Sequence, residues 1–344
     1  MGYRTKSISA TVCRVATIYD VAKRAGVSPA TVSRSLNNLY VSPDKVESIQ
    51  RAIDELEYTP NRRARSLRMK SNQVIALIIP DIENPYFTEM ARGVEDVAQE
   101  AGLSVVLCNS DDDPAKEATY LDIVRAEDMA GLLLATSSGQ PDLAAVRRGG
   151  RPVVAVDRVF HDDIDAVVMP NRAAGTLATT ALIEAGFRRI ACITGPESID
   201  TARDRAEGWQ RAMSDAGVPS DGLLYHSDFR VDGGRAAMAE LLESPSRPDA
   251  VVASNNLIAV GALQELHARG LSTSGFGVSV IGSLPYVLGP TDDLSFVRLP
   301  ARQMGMSAAA MLIDRINGDT QPVRTVELRA DVGSRVLDIH GAAE

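Results

Sequence analysis

Residues 17–38 read TIYDVAKRAGVSPATVSRSLNN, a stretch that predicts two short helices joined by a tight turn. The first helix has one apolar face at i, i+3, i+4, i+7 spacing, formed by Ile18, Val21, Ala22 and Ala25. Asp20 lies three residues after Thr17, as in a capping box that starts a helix. Gly26 ends the first helix, and Ser28 followed by Pro29 predicts the start of the second.

The second helix is predicted to present a small, polar outer face. Its apolar residues Val32 and Leu36 lie four positions apart, so one side packs inward. The residues left to face outward are Pro29, Ala30, Thr31, Ser33, Arg34 and Asn37. Ser42 and Pro43 repeat the start signal, and the inner stripe of this third helix is predicted to be Val46, Ile49, Ile53 and Leu56. Three short helices with one tight glycine turn form a helix-turn-helix unit.

The outer face of the second helix fits the major groove of DNA. The groove admits an α-helix, and a guanidinium such as that of Arg34 can donate two hydrogen bonds to one guanine. The alternative for a three-helix bundle is a protein-interaction module. Charge favours DNA, because residues 1–70 hold 13 Lys and Arg against 6 Asp and Glu, while the remaining chain holds 23 against 39.

Residues 17–38 closely resemble the helix-turn-helix of the lactose/galactose repressor family, and the resemblance continues through VSPDKVESIQRAIDELEYTPN at 41–61. By this resemblance, Pro29, Ala30 and Arg34 occupy the positions that read bases, and Tyr58 lies where the family enters a hinge. The phosphate-contacting positions are occupied by Thr17, Tyr19, Ser28, Thr31, Ser33, Asn37 and Asn61. Phosphate contacts position such a domain on DNA, and base contacts specify the sequence.

Residues 60–70 read PNRRARSLRMK and carry five basic side chains, which in isolation indicates a flexible basic linker. In the family, the segment becomes a helix on the operator, pairs with its copy in a second subunit and inserts a leucine into the minor groove. Leu67 lies at that position, with Arg68 beside it. The resemblance therefore implies that both residues contact DNA.

From Gln73 onward, apolar runs alternate with amphipathic helical stretches such as 87–101, as in the βαβ units of a parallel sheet. The predicted strands are VIALIIP, LSVVLCN and residues 131–135, 152–156, 166–169, 190–194, 250–253 and 278–281. Two doubly wound sheets fit this count, and ligands bind such sheets at the carboxyl ends of the strands. PDIENPYFTEMARGVE, PVVAVDR, ARDRAEGW, NNLIAVGAL and SVIG extend the resemblance to nearly the whole chain after Thr17.

The predicted fold class is therefore α/β: a small all-α helix-turn-helix domain followed by a bilobal body that resembles periplasmic sugar-binding proteins. The resemblance implies a disordered extension at 1–15, a DNA-binding domain at 16–59, a hinge at 60–72 and an effector-binding and dimerisation domain at 73–344. The N-lobe of that domain is expected to comprise about 73–171 and 301–328, and its C-lobe about 172–300 and 329–344.

The effector site is expected between the two lobes. Arg205 falls on the arginine that grips effector in the family, a role suited to the fixed fork of donors on a guanidinium. Tyr86, Phe87 and Phe229 fall on aromatic positions that face the ligand, and Asp157 and Asn255 on polar ones. For a single aromatic residue taken alone, packing in the core is the commoner role.

Several positions depart from the family pattern. The usual Gly-(Tyr/Phe)-Asp is Gly282-Ser283-Leu284, and the usual Asn-Asp pair is Asn255-Asn256. The usual Asp-Asn pair is Pro170-Asn171, and a polar residue of a crossing strand is Leu299. Because three acids are lost and Arg205 is kept, the sequence favours an effector that carries a carboxylate or phosphate over a plain sugar.

Enzyme motifs are absent from the sequence: it has no GxSxG, no HExxH, no Walker lysine loop and no GxGxxG at a strand-to-helix turn. Cys13, Cys108 and Cys192 are scattered, so neither a disulfide framework nor a metal cluster is expected, and no cofactor is predicted. The acidic run at 111–113 is expected to be a turn after a strand. The N-terminus lacks the features of a secretion signal, and no apolar run reaches membrane-spanning length, so we expect a cytoplasmic protein with no membrane partner.

The predicted function is that of a transcriptional regulator, most simply a repressor of a catabolic operon. Its operator affinity would respond to a sugar, sugar acid, sugar phosphate or nucleoside held between the lobes, with no enzymatic activity. The chain ends without a leucine heptad, so we expect a homodimer that reads a pseudo-palindrome. The alternatives are an activator on the same fold and a transporter-type solute-binding protein, which residues 1–70 argue against.

Overall fold

The structure is a computed structural model that describes residues 16–36, 40–56, 58, 73–137, 139–160, 163–273, 275–284, 294–329 and 331–333. The chain divides into two compact units, Met1–Ser71 and Asn72–Glu344. The predicted extension at 1–15 and the predicted hinge at 60–72 lie outside the described residues.

The first unit contains three helices, α1 (Ile18–Ala25), α2 (Pro29–Leu36) and α3 (Pro43–Glu55). The capping box is present, since the Thr17 amide donates to a carboxylate oxygen of Asp20 at 2.9 Å and the Asp20 amide donates back to the Thr17 hydroxyl. Gly26 takes the left-handed conformation with φ of 66°, which a glycine adopts without steric cost. The small core consists of Val21, Ala22, Val32, Ile49 and Ala52.

The prediction that Val46 belongs to the inner stripe of α3 is wrong, because its side chain is 42% exposed. Helix α3 has 13 residues and the helices that cover it have 8 each, so about 7 Å of α3 extends past them. Val46 lies in the first turn of α3, and Ala52 takes a buried position instead. Ser42 precedes α3 as predicted, although its side chain makes no capping hydrogen bond.

The second unit alternates strands and helices. Its strands are β1 (Val74–Ile79), β2 (Ser104–Asn109), β3 (Gly131–Leu134), β4 (Val153–Val156), β5 (Asp165–Val168), β6 (Ile190–Thr194), β7 (Leu224–His226), β8 (Ala250–Ala253), β9 (Gly277–Ile281), β10 (Leu294–Arg298), β11 (Thr325–Glu327) and β12 (Asp331–Gly333). Its helices are α4 (Pro85–Glu100), α5 (Pro114–Ala126), α6 (Ala144–Arg148), α7 (Asn171–Glu184), α8 (Asp200–Asp215), α9 (Val231–Glu243), α10 (Asn256–Ala268) and α11 (Ala301–Ile316).

The strands form two six-stranded sheets, in the orders β11-β5-β4-β3-β1-β2 and β12-β10-β9-β8-β6-β7. All pairs are parallel except β12, which runs antiparallel to β10. Every strand predicted from the sequence is present, and β7, β10, β11 and β12 were not predicted. Three of those four are only three residues long, too short for a period of alternation to be visible.

The chain passes between the two sheets three times: between β5 and α7, between β10 and α11, and between β11 and β12. Each sheet has its own core, and the side chain of Leu299, at the second crossing, packs against both cores. Helices α7 and α8 lie in close contact, since a Cβ on Gly175 would come within 2.1 Å of the Arg205 carbonyl oxygen. This contact holds the backbone of Arg205 in place.

Candidate functional site

The helical unit presents the predicted DNA-reading residues on one side of α2. Ala30 and Arg34 are exposed, Pro29, Thr31 and Ser33 are half-buried, and the nearby Tyr19 on α1 is 63% exposed. Asn37, Asn61, Leu67 and Arg68 lie outside the described residues. The structure therefore places the three predicted base-reading side chains together on the first two turns of one helix.

Several of the predicted phosphate contacts also support the local structure. The Ser28 hydroxyl accepts from the Thr31 amide at 3.1 Å and shares a hydrogen bond with the Thr31 hydroxyl at 2.8 Å. The Thr17 hydroxyl donates to Asp20 at 2.6 Å. Tyr58, which the resemblance places at the entry to the hinge and among the DNA-binding residues, is half-buried and packs against the core of the unit. Such side chains are held in fixed orientations, which suits a positioning role on DNA.

The body contains a cleft at the carboxyl ends of strands from both sheets, with about 470 Å³ of empty space that is partly open to solvent. All six predicted effector residues line it: Tyr86, Phe87, Asp157, Arg205, Phe229 and Asn255. The other lining residues are Pro80, Asp81, Asn84, Asp112, Arg158, Thr201, Asn256, Ile281 and Leu299.

Tyr86 joins the first helix of the body to the loop after β4. Its hydroxyl donates to Asp157 at 2.8 Å. Burial is the main cause that raises the pKa of Tyr86 well above its usual value, and the negative charge of Asp157 raises it further. Phe87 is 6% exposed and meets Tyr86 edge to face, with ring centroids 5.1 Å apart. Phe87 therefore packs in the core of the first sheet while its edge borders the cleft.

Arg205, on α8, is fixed by two hydrogen bonds. Its Nε donates to the Asn171 side chain at 2.8 Å, and one terminal nitrogen donates to the Ser254 carbonyl at 2.7 Å. Burial lowers the pKa of the guanidinium, while the attraction of Asp157 opposes the shift. Asn171, the member of the Pro170-Asn171 pair that keeps the family's asparagine, thus orients Arg205 in the cleft.

Asn255 is the N-cap of α10, and its side-chain oxygen accepts from the Ile258 amide at 2.8 Å. Its amide nitrogen donates to the Phe229 carbonyl at 2.8 Å, which fixes the loop that carries the Phe229 ring. Phe229 and Asp157 both have positive φ, at 63° and 68°. Non-glycine residues in this conformation are uncommon and concentrate at functional sites.

Arg158 and Asp112 were not predicted as effector residues, and each has a buried polar atom without a hydrogen-bond partner. These atoms are Arg158 Nε and Asp112 Oδ1. The nearest ion pairs, Arg158 to Asp112 at 3.7 Å and Arg158 to Asp157 at 3.8 Å, are longer than hydrogen bonds. Burial raises the pKa of the Asp112 carboxyl, and Arg158 opposes the shift. A buried donor and a buried acceptor thus lie beside the cleft with their hydrogen-bonding capacity unused.

A signal in the sequence could have identified these missed residues, because each follows a strand at its carboxyl end. Asp81 and Asn84 follow β1, Asp112 follows β2, and Arg158 stands next to Asp157 after β4. The acidic run at 111–113 forms the expected turn, with positive φ at Asp111 and Asp112. Asp112, the second residue of this run, also lines the cleft, although the sequence predicted only a surface turn.

The cleft carries more acidic than basic side chains, which does not favour the anionic effector expected from the sequence. The lining residues include three carboxylates, Asp81, Asp112 and Asp157, against two guanidiniums, Arg158 and Arg205. Carboxylates on other loops therefore supply negative charge in place of the acids that are missing at the family positions. Leu284 is half-buried and packs against the core of the second sheet, and it is not among the cleft-lining residues.

Within the described part of the chain, no group of three or more His, Cys, Asp or Glu could hold a metal ion. The same residues contain no helix that is long and apolar enough to cross a membrane.

Two family models match the chain. Bacterial regulatory proteins of the lacI family match residues 17–61, and periplasmic binding proteins and sugar-binding domains of the LacI family match residues 72–333. The ribose operon repressor of Halalkalibacterium halodurans is 38% identical over 307 residues, covering 87% of this chain and 90% of that protein. The ribose operon repressor of Escherichia coli K12 is 37% identical over 321 residues, covering 91% and 97%.

Solved structures agree with this fold. A complex of the transcriptional regulator CelR with cellobiose is 30% identical, with a TM-score of 0.70 over 93% of this chain and 99% of that one. A lac repressor dimer bound to operator and the anti-inducer ONPF superposes with a TM-score of 0.81 at 22% identity, over 94% and 99% of the two chains.

Proposed function

The chain belongs to the LacI family of bacterial regulatory proteins, and on that premise we propose that its effector is a neutral polyhydroxy compound about the size of a pentose. As a member of this family it is a DNA-binding transcriptional repressor, a homodimer whose operator affinity responds to a small molecule. Both curated relatives described above are ribose operon repressors, which favours a sugar of ribose type.

The proposal that the effector is uncharged rests on one observation. Asp112 Oδ1 lacks a donor and Arg158 Nε lacks an acceptor, and both residues line the cleft and follow strands of the first sheet. Adjacent sugar hydroxyls provide both, because each hydroxyl donates one hydrogen bond and accepts others. A carboxylate or phosphate would satisfy Arg158 but would be repelled by Asp112 and by the neighbouring Asp81 and Asp157.

The cleft also suits coupling to DNA. Asp157 and Arg158 follow β4 of the first sheet, and Arg205 lies on α8, which packs against the second sheet. A ligand that contacts both sets of residues favours one relative arrangement of the two lobes. In the proposed mechanism, this arrangement changes the spacing of the paired hinges, so the coupling equals the difference in effector affinity between DNA-competent and incompetent states.

On the helical unit we propose that Pro29, Ala30 and Arg34 read bases. The phosphate contacts are proposed to come from Thr17, Tyr19, Ser28, Thr31, Ser33, Asn37 and Asn61. Tyr58 and Arg68 are proposed to contact DNA as well, and Leu67 to supply the minor-groove wedge. The exposed guanidinium of Arg34 supports this assignment, because a base-reading arginine must keep its donors free for the groove.

The second copy of the chain is proposed to pack against the edge of the first sheet. β2 is an edge strand with Val106 and Leu107 each 38% exposed, and Ile82 nearby is 45% exposed. A long edge strand with exposed apolar residues invites association, and in a homodimer a second copy of the same strand can cover it.

Calorimetric titration of the full chain with D-ribose, D-ribose 5-phosphate and D-ribonate tests the effector class. We expect the neutral sugar to bind and both anions to bind at least about tenfold more weakly, since an uncompensated charge beside Asp112 is costly. Asp112→Asn should narrow that difference, because it removes one of the repelling carboxylates. Tight binding of either anion with no binding of D-ribose would contradict the proposal.

A further inference from the structure

The cleft has one wall formed by residues of the first sheet and an opposite wall formed by residues of the second sheet and its helices. The two walls differ in which polar atoms lack a hydrogen-bond partner. The described residues include four buried side-chain polar atoms without a partner, and the two that belong to cleft-lining residues, Asp112 Oδ1 and Arg158 Nε, both follow strands of the first sheet. On the opposite wall, Arg205 and Asn255 already spend hydrogen bonds on Asn171, Ser254, Phe229 and Ile258. The buried polar atoms of the cleft-lining residues that have no partner therefore both belong to the first sheet.

Part of the second wall is hydrocarbon. Ile281 ends β9 and Leu299 lies just past the end of β10, and these neighbouring strands pair in parallel with Ile281 opposite Val297. Leu299 is two residues beyond Val297, so it follows the end of β10 at the edge of the sheet where Ile281 ends β9. Both residues line the cleft, Leu299 half-buried and Ile281 fully buried, and Phe229 lines it from the loop after β7. Neither aliphatic side chain can accept or donate a hydrogen bond.

A sugar hydroxyl that faces this hydrocarbon surface would lose its water without gaining a partner. Burying a hydroxyl unpaired costs on the order of a factor of 5 to 150 in affinity by mutational data. A methyl or methylene group at the same place would instead gain favourable burial. The wall formed by Ile281 and Leu299 therefore selects against a hydroxyl at one end of the ligand.

We propose that the effector is a deoxy sugar, with hydroxyls along the edge that faces Asp112 and Arg158 and a deoxygenated end that faces Ile281 and Leu299. This inference rests on the proposed function, since it refines the class of the same ligand. Leu299 is thus a residue that determines specificity, and it stands where the sequence has leucine in place of a polar family residue.

The test measures binding of matched sugar pairs to the full chain by calorimetry. The pairs are D-ribose with 5-deoxy-D-ribose, D-ribose with 2-deoxy-D-ribose, D-galactose with 6-deoxy-D-galactose, and L-mannose with L-rhamnose. In at least one pair we expect the deoxy member to bind at least about fivefold more tightly than its parent. The parent binding equally or more tightly in every pair that binds overturns the inference and leaves the proposed function intact. No binding by either member of any pair overturns the proposed function, and this inference with it.

Leu299→Gln places a hydrogen-bonding group on the hydrocarbon wall, and Leu299→Met is the matched apolar control. The glutamine variant should reverse the preference toward the hydroxylated parent, and the methionine variant should keep the deoxy preference. An unchanged ratio in the glutamine variant contradicts the role of Leu299. Because Leu299 packs against both cores, each variant is first compared with the parent chain by thermal melting, and the ratio in the unaltered chain decides the inference if a variant does not fold.

Discussion

The helical unit and the α/β body place their functional residues in opposite ways. The proposed base-reading residues lie within six positions of one helix, and Arg34 is exposed at its end. The cleft collects residues from Pro80 to Leu299, and most of its polar side chains are buried and already hydrogen-bonded to the body. Surface substitutions in the helical unit should therefore alter DNA binding alone. Substitutions in the body should alter folding, assembly or effector binding according to their contacts.

The largest expected effect comes from the proposed dimer surface of the body. Leu107→Lys places a charge on the exposed edge strand β2 and should separate the two copies. Operator affinity should then fall by roughly 10²- to 10⁴-fold, because each half-site contact becomes an independent event. Sedimentation and gel-shift measurements check this, with Ile123→Lys, at an equally exposed apolar position on α5, as the control. A Leu107→Lys chain that stays dimeric would remove β2 from the interface.

The next effect concerns stability of the body alone. Arg315 holds Asp165 through two hydrogen bonds, at 2.7 and 3.0 Å, and the Arg324 amide donates to the same carboxylate at 2.9 Å. Asp165→Asn should lower the free energy of unfolding of the body by roughly 3 kcal/mol, as expected for a broken buried ion pair. Chemical denaturation followed by Trp209 fluorescence measures this, since Trp209 is buried in the body. A matching loss in the exposed pair Arg51–Glu47 of the helical unit, tested with Glu47→Gln, would contradict the contrast between the two regions.

The same carboxylate gives a pH dependence. Burial pushes the pKa of Asp165 upward, but the hydrogen bonds from Arg315 and Arg324 prevail and lower it below the usual 3.8. A depressed carboxyl pKa contributes stability that is fully present above the unfolded-state value. That contribution should be lost as pH falls below 3.8 toward the folded-state value, and the Asn variant should lose less stability over that window.

Arg205→Lys tests the cleft with a smaller expected change. Lysine keeps the positive charge but cannot reproduce the guanidinium contacts to Asn171 and Ser254. Effector affinity should fall by about 1.5–3 kcal/mol, while operator affinity without effector stays unchanged. Arg211→Lys, exposed on the same helix, is the matched control for calorimetry and DNA binding. Retained effector affinity in Arg205→Lys would remove this side chain from the site.

The smallest effect is expected at a single base pair. Arg34→Ala should cost roughly 1–3 kcal/mol in operator affinity and relax the base preference at one position per half-site. Selection of binding sites from a randomised duplex pool, compared with Arg51→Ala on the exposed side of α3, measures both changes. An equal loss on all sequences would make Arg34 a phosphate contact and remove it from the base-reading set.

The two regions also differ in how much the sequence could predict. The start and end of α1 and the start of α2 follow from Thr17, Gly26 and Ser28, because caps and turns depend on neighbouring residues. Val46 was misassigned since its exposure depends on how far the other two helices extend, which no local pattern encodes. In the cleft, Arg205 was predicted by resemblance, but its hydrogen bond to the Asn171 side chain could be seen only in the tertiary structure.

The cleft residues that were not predicted also depend on tertiary structure, which local sequence patterns do not encode. Asp112 and Arg158 are separated by more than 40 positions, and only the parallel order of β2, β1, β3 and β4 brings their loops to one edge. The hydrocarbon wall likewise depends on the pairing of β9 with β10. The sequence could indicate that polar loops follow these strands, and it could not indicate which atoms would remain without partners.

The most direct test of the account couples both regions in one measurement. The full chain is bound to a fluorescent duplex selected from a random pool, and anisotropy is recorded while the best-binding sugar of the matched pairs is added. We expect operator affinity to shift by about 5- to 150-fold in the unaltered chain, and the sign of the shift distinguishes induction from corepression. Arg205→Lys should need a much higher sugar concentration for the same shift. Operator affinity that does not change at saturating sugar, in a chain that calorimetry shows to be fully occupied, would contradict it.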